Sequence, residues 1–160
     1  SVETAWKMVE NVKYPPVGKR SITGSLPQLD FVPTPVGEAT AAINNATLLI
    51  VMLETEEAVA NAEAMAAIDG IDALLFGTND LTIEMGIPGQ VGDARVQKHY
   101  ENAAAACAKH GKFLGMGGVY DPAVMEDYVA MGARLILAGN DFPFLMKAAK
   151  EQADIVRGMG

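Results

Sequence analysis

The chain has 160 residues, half of them hydrophobic and a fifth charged, with a net charge of −8; this is a globular domain with a core of its own, not a disordered segment. An acidic balance of this size, with a pI near 4.7, argues against a nucleic-acid or anionic-membrane surface, so a small anion must be attracted locally by a metal ion or by backbone N–H groups. A single cysteine, Cys107, excludes an internal disulfide. No apolar run approaches the roughly 20 residues of a membrane span, and the N-terminus has no signal-peptide pattern, so a reducing, cytoplasmic compartment is the expectation.

Residues 1–12 read as the back half of a helix, with Ala5, Met8, Val9 and Val12 at helical spacing and barely any start. A pattern that opens midway raises the expectation that more chain precedes it. Pro15 and Pro16 then forbid helix and Gly18 permits a turn; residues 21–35, with Gly24 and prolines at 27, 33 and 35, read as an irregular loop. Pro35 is placed to open a short helix over 36–45.

From there the rhythm is regular. Leu48 to Leu53 is an apolar run without alternation, the habit of a parallel strand buried on both faces, and it ends on Glu54. The strand over 48–54 leads to a helix over 56–68, with Thr55 as its N-cap, Glu56 and Glu57 in its first turn, and Val59, Ala62, Met65 and Ala66 as its buried stripe. Asp69-Gly70 turns the chain into a strand over 72–77, followed by a glycine-rich loop over 77–93. Helix 94–109, strand 112–117, helix 122–131, strand 133–138 and helix 142–157 complete the pattern. Such alternation means parallel βαβ units. As an isolated open sheet these strands would leave apolar edges, and 133–138 reads as a buried strand, not an edge. Four βα units make half of an eight-stranded barrel. The chain is thus expected to be one α/β domain over 1–160, with 1–47 supplying a helix end, loop and short helix and 48–160 the βα units.

The chemistry is expected at the carboxyl ends of the strands. Glu54 and Asp80 follow two strands joined by one helix; neighbouring strands lie about 4.8 Å apart, so the two carboxylates can share one ion. Hard oxygen ligands favour Mg²⁺ or Mn²⁺, which would take further oxygen ligands from a bound substrate and act on it as a Lewis acid. No lysine follows a strand end (Lys112 precedes its strand), which disfavours Schiff-base chemistry. Plainer roles stand beside these: Glu54 as a helix-cap carboxylate, Asp80 as a turn cap before Leu81, Gly77 and Gly117-Gly118 as turn formers. Asp141 reads as a helix N-cap and Arg20 as a surface residue. His99, in a polar helix stretch, and His110, at a helix end, lie away from the strand ends, so neither makes a convincing base. Cys107, on an alanine face, reads as core, and Met52, Met65, Met85, Met116, Met125, Met131 and Met146 as packing.

The segments YPPVGKRSITG, VMLETEEAVANAEAMAAIDGIDALLFGTNDLTIEMGIPGQ, GKFLGMGG and GARLILAGND, in this order, resemble the carboxyl-terminal half of the HpcH/HpaI aldolase family. The co-occurrence of E-T-x-E-A-V-A-N, G-T-N-D-L and G-x-P-G-Q makes the resemblance specific. It implies a (β/α)8 TIM barrel of about 250 residues, of which this chain supplies about the last four βα units, often assembled as a hexamer whose dimers exchange the last helix. It also implies a divalent-metal-dependent aldolase that reversibly cleaves 4-hydroxy-2-oxo acids to pyruvate, or hydroxypyruvate, and an aldehyde. Glu54 and Asp80 would hold Mg²⁺ or Mn²⁺; Gly77, Thr78 and Asn79 would offer N–H groups to the pyruvate carboxylate; Gly115, Met116, Gly117 and Val119 would line the aldehyde side. The family's base, a histidine, and the arginine on its keto oxygen precede the residue matching Ser1, so no catalytic residue is assigned within the chain, which reads as a fragment of a longer one. Its partners would be a small 2-oxo acid and an aldehyde, with no nucleic acid and no membrane. The same chemistry would permit oxaloacetate decarboxylation. An acyl-thioester lyase of the citrate lyase branch and a non-catalytic half-barrel serving binding or assembly are the other readings.

Overall fold

Among the residues that the computed structural model describes, 1–23 and 26–160, the apolar runs form one parallel sheet. Gly24 and Ser25, inside the stretch read as an irregular loop, lie outside the described residues. The strands are β1 (Ile50–Leu53), β2 (Ala73–Gly77), β3 (Phe113–Gly117) and β4 (Ala133–Ile136), and they lie in sequence order across the sheet. Leu53 pairs with Phe76 and Gly77 with Gly117, so β1, β2 and β3 finish at one level; the register of β3 with β4 shifts between Leu114 and Gly115. The helices are α1 (Val2–Val12), α2 (Val36–Ala46), α3 (Glu56–Ala60), α4 (Ala62–Ala66), α5 (Thr78–Glu84), α6 (Ala94–His110), α7 (Pro122–Met131) and α8 (Asp141–Arg157), with a 3-10 turn at Pro27–Leu29.

Strand side chains alternate faces, and the two faces meet different fates. Val51, Leu53, Leu74, Phe76, Leu114 and Met116 point into a core closed by Val59, Met65, Val96, Tyr100, Cys107 and Tyr128 of the helices. On the opposite face Met52 stays 46% exposed and Phe113 59% exposed, and Leu48, Ala73, Phe113, Arg134 and Leu135 line a hollow of about 280 Å³ at the amino ends of the strands. The sheet is therefore covered by helices on one side and open on the other.

Away from the sheet, a polar clamp fixes the entry to β1. The Asn44 side chain of α2 accepts the Tyr14 N–H at 2.8 Å and donates to the Tyr14 carbonyl at 3.0 Å. The buried Lys13 ammonium donates to the Asn44 and Thr47 carbonyls and lies 3.7 Å from Asp72, whose carboxylate accepts the Leu49 N–H. Each buried polar group at this junction thus finds a partner, as burial demands.

Several expectations need correction. The helix expected over 56–68 is broken at Asn61, which has φ −97° and ψ 9° and whose side-chain amide donates to the Glu57 carbonyl at 2.8 Å; a side chain that bonds local backbone competes with helix continuation. The loop expected over 77–93 contains α5, whose first turn begins at Thr78. Strand 133–138 is shorter than expected: β4 ends at Ile136, with Leu137 46% exposed, and among the described residues it pairs with β3 alone, as a strand of a partial barrel does. Asp141 is not the N-cap of the last helix but its first residue, its carboxylate accepting the Phe142 N–H at 2.8 Å, while Asn140 occupies the cap position. Met65 and Met116 are buried, but Met52 and Met146 are exposed, because the former faces the open side of the sheet and the latter sits on α8, which buries none of its residues.

Candidate functional site

Three strand ends and one short helix build the site. Leu53 and Phe76, both fully buried, anchor the ends of β1 and β2 in the core. The next residue after β1, Glu54, is half-buried, and its side chain lies across Gly77. A Cβ at Gly77 would come within 2.6 Å of Glu54 Cγ and 2.9 Å of Oε1, so the Glu54 side chain holds this place because residue 77 is a glycine, and any larger residue would make it shift. The chain then turns into α5, bringing the exposed Asp80 into its first turn. Asn79 rests on Gly118, which has φ +78° and whose Cβ would meet Asn79 Nδ2 at 2.9 Å.

Two tethers hold α5. At its start, the buried Thr78 hydroxyl donates to the Gly117 carbonyl at 2.7 Å and lies 2.8 Å from the Tyr100 hydroxyl. At its end, the Glu84 carboxylate accepts the Glu56 N–H at 2.9 Å, tying α5 to the first turn of α3. Glu54 and Asp80 are thus carried by segments tied to one another.

Among the described residues, neither the Glu54 nor the Asp80 carboxylate has a hydrogen-bond or ion-pair partner, and no group of three or more His, Cys, Asp and Glu side chains gathers as a metal cluster. Two unneutralised carboxylates, one of them fitted into a cradle that a Cβ would fill, suit a hard divalent cation whose remaining positions go to water or substrate oxygens. The donor chemistry is that of a hard-cation site, and two carboxylates do not close such a site by themselves.

The other expected residues fall as follows. Gly77 ends β2, and Thr78 and Asn79 open α5, so their N–H groups belong to a helical first turn, not a loop. Gly115 and Gly117 lie on β3, where a Cβ would meet Leu75 Cδ1 at 2.7 Å and the Phe76 carbonyl oxygen at 3.1 Å. Met116 and Val119 are fully buried in the helix-side core, so their side chains face away from the open side. His99 lines a hollow of about 340 Å³ with Glu63 and Asn102, and His110 lies 3.9 Å from Glu63; both belong to α6. The Arg20 guanidinium stacks 4.8 Å over the Tyr14 ring. Burial pushes the Cys107 thiol up to about 11, which keeps it protonated and inert.

One feature escaped the sequence reading: the stack of Phe76, Tyr100 and Tyr128 that ends on the Thr78 hydroxyl. The spacing of Val96, Tyr100, Ala103 and Cys107 along one stripe of α6 could have marked Tyr100 as buried. Nothing local could have named its partner.

The HpcH/HpaI aldolase/citrate lyase family model matches residues 1–148. A 4-hydroxy-4-methyl-2-oxoglutarate aldolase of Hapsidospora irregularis is 34% identical over 151 residues, 92% of this chain and 56% of its own length. A hydroxypyruvate/pyruvate aldolase of Pseudomonas aeruginosa is 30% identical over 99% of this chain and 58% of its own. Among solved structures, an HpcH/HpaI aldolase from Desulfitobacterium hafniense DCB-2 superposes with a TM-score of 0.87 at 30% identity, covering 98% of this chain and 60% of the other. The chain therefore spans little more than half the length of the relatives it matches.

Proposed function

The chain belongs to the HpcH/HpaI aldolase/citrate lyase family, and from that membership we propose that the protein is a divalent-metal-dependent aldolase, cleaving 4-hydroxy-2-oxo acids to pyruvate or hydroxypyruvate and an aldehyde. The observation that carries this reading is the Glu54 carboxylate laid across Gly77 beside the first turn of α5, where Asp80 stands, both acids without a partner among the described residues. In this proposal Glu54 and Asp80 hold Mg²⁺ or Mn²⁺. When bound, such an ion draws off the negative charge that develops on the keto oxygen as the carbon–carbon bond breaks.

The remaining roles belong to the chain's own groups. The N–H groups of Gly77, Thr78 and Asn79, at the positive end of α5, orient the substrate carboxylate. Gly115 and Gly117, which add no side chain to the carboxyl-end half of β3 and leave the place beside Gly115 to Leu75, stand on the aldehyde side, while Met116 and Val119 support that strand end from the core. The base and the group on the keto oxygen are supplied from outside these residues. The named relatives favour a short oxo acid such as 4-hydroxy-4-methyl-2-oxoglutarate as substrate; its C4 bears a methyl group and a carboxylate, so the same bond cleavage would give a second pyruvate in place of the aldehyde. A cytoplasmic homo-oligomer, a hexamer in the family's pattern, is the assembly we propose; among the described residues no helix is long and apolar enough to cross a membrane.

The test is a Mn²⁺ titration of the full-length protein and of Glu54→Gln, followed by pyruvate release from that substrate with and without EDTA. Saturable binding in the wild type, lost in the variant, with pyruvate release abolished by EDTA, is the expected result. A wild-type protein that binds no Mn²⁺ would overturn the proposal.

A further inference from the structure

Thr78 carries a buried hydroxyl, and its neighbours determine where its proton points. The Gly117 carbonyl, 2.7 Å away, can only accept, so the Thr78 O–H donates to it. A hydroxyl has one proton, so the contact with Tyr100 at 2.8 Å must run the other way, with the Tyr100 O–H donating to Thr78 Oγ1. The result is a directed chain from α6, through the first residue of α5, to the last residue of β3. Tyr100 cannot turn out of it: its ring is stacked between Phe76 at 3.9 Å and Tyr128 at 3.7 Å, and the Tyr128 hydroxyl donates to the Val91 carbonyl. Burial raises the Tyr100 phenol well above its usual range, so the donor stays protonated throughout the working pH span.

The position of this chain gives it consequence. Gly77↔Gly117 is the last register pair of β2 with β3; beyond it the sheet ladder stops, and the Thr78 hydroxyl continues the link into α5. Asn79, the next residue, rests on Gly118, and Asp80 follows in the same helical turn. Glu54 is fixed against Gly77, immediately before Thr78. A hydroxyl that touches neither carboxylate thus ties the turn that carries Asp80 to the end of β3, next to the residue that Glu54 lies across.

We infer that Thr78 and Tyr100 are positioning residues: their hydroxyl chain to the Gly117 carbonyl holds the first turn of α5 so that Asp80 and Glu54 converge on one cation. This rests on the proposed metal role of the two acids and adds the device that aligns them. Groups that orient metal ligands from behind are worth roughly 10–100-fold in metal affinity, and that is the size of effect expected here.

The experiment measures Mn²⁺ affinity by titration, without turnover, in the full-length wild type and in Thr78→Val, Thr78→Ser, Tyr100→Phe and Val96→Ala, with the Tm of each. Val96 is a fully buried core residue of the same helix as Tyr100 and lies outside the hydroxyl chain. Thr78→Val keeps the shape and loses the hydroxyl; it should weaken Mn²⁺ binding by about 10–100-fold, Thr78→Ser should restore most of it, and Tyr100→Phe should fall between. Val96→Ala should lower Tm and leave the affinity as it was. If Thr78→Val and Tyr100→Phe bind Mn²⁺ as the wild type does, the inference fails while the aldolase reading stands. Affinity that merely follows Tm across all variants, Val96→Ala included, overturns it too. Should Thr78→Val fail to fold, Tyr100→Phe decides by the same criterion. A wild type that binds no Mn²⁺ removes the aldolase reading and this inference together.

Discussion

Gly77 does its work by having no side chain. Alanine there would drive a Cβ to 2.6 Å from Glu54 Cγ, closer than such atoms come, so the Glu54 side chain must leave its cradle. Gly77→Ala is therefore expected to weaken Mn²⁺ binding by at least about tenfold, with the far-ultraviolet circular dichroism unchanged, because the clash lies at a strand end and not in the core. Titration beside the spectrum checks both halves. Asn44 is the opposite case, a residue that acts through what it carries. Asn44→Ala removes both bonds to the Tyr14 backbone, a loss expected to lower stability by about 1–3 kcal/mol in urea unfolding, with metal affinity kept. At this scale the sequence marked Glu54, Asp80 and the glycines as candidates, because a carboxylate or a glycine at the end of an apolar run is a local signal. It could not show the partner of Thr78, which lies 39 residues further on.

Elements with strong end signals were legible to within a residue or two. Helix α7 was, because Asp121 and Pro122 mark its start and Gly132, at φ +121°, its end. Helix α5 was not, since its buried Thr78, Leu81 and Thr82 span too few turns to establish a period among flanking glycines. The continuous helix over 56–68 fails for a related reason: apolar spacing carries across Asn61, and the break lies in a side-chain hydrogen bond that spacing does not record. Helix α6 offers a test of an end signal. The Asp93 carboxylate is held down to about 2, from 3.8, first by the Arg95 side chain and then by the Arg95 N–H. A depressed folded-state value stabilises the fold above the unfolded value, and the benefit is lost as pH falls toward the folded one. Wild type should thus be more stable than Asp93→Asn at neutral pH, and the difference in Tm should shrink between about pH 4 and 2, followed by thermal melts in that range.

For the whole molecule, parallel order, α/β class and membership of a larger barrel were readable from alternating apolar runs and helices, and the superposition on a family structure agrees. Strand 133–138, which pairs with β3 alone among the described residues, fits that reading, since an apolar strand reads the same whether its neighbour lies in this chain or elsewhere. The order of the strands has a further consequence. Each strand pairs with the next one made, β1 with β2, β2 with β3 and β3 with β4, so the interactions that define the sheet join segments adjacent in the chain. Loops closed between such segments are shorter than pairings of distant strands would need and lose less entropy. During synthesis, each emerging βα unit can dock on the one before it without waiting for a distant strand, so the direction of translation is also the direction of assembly.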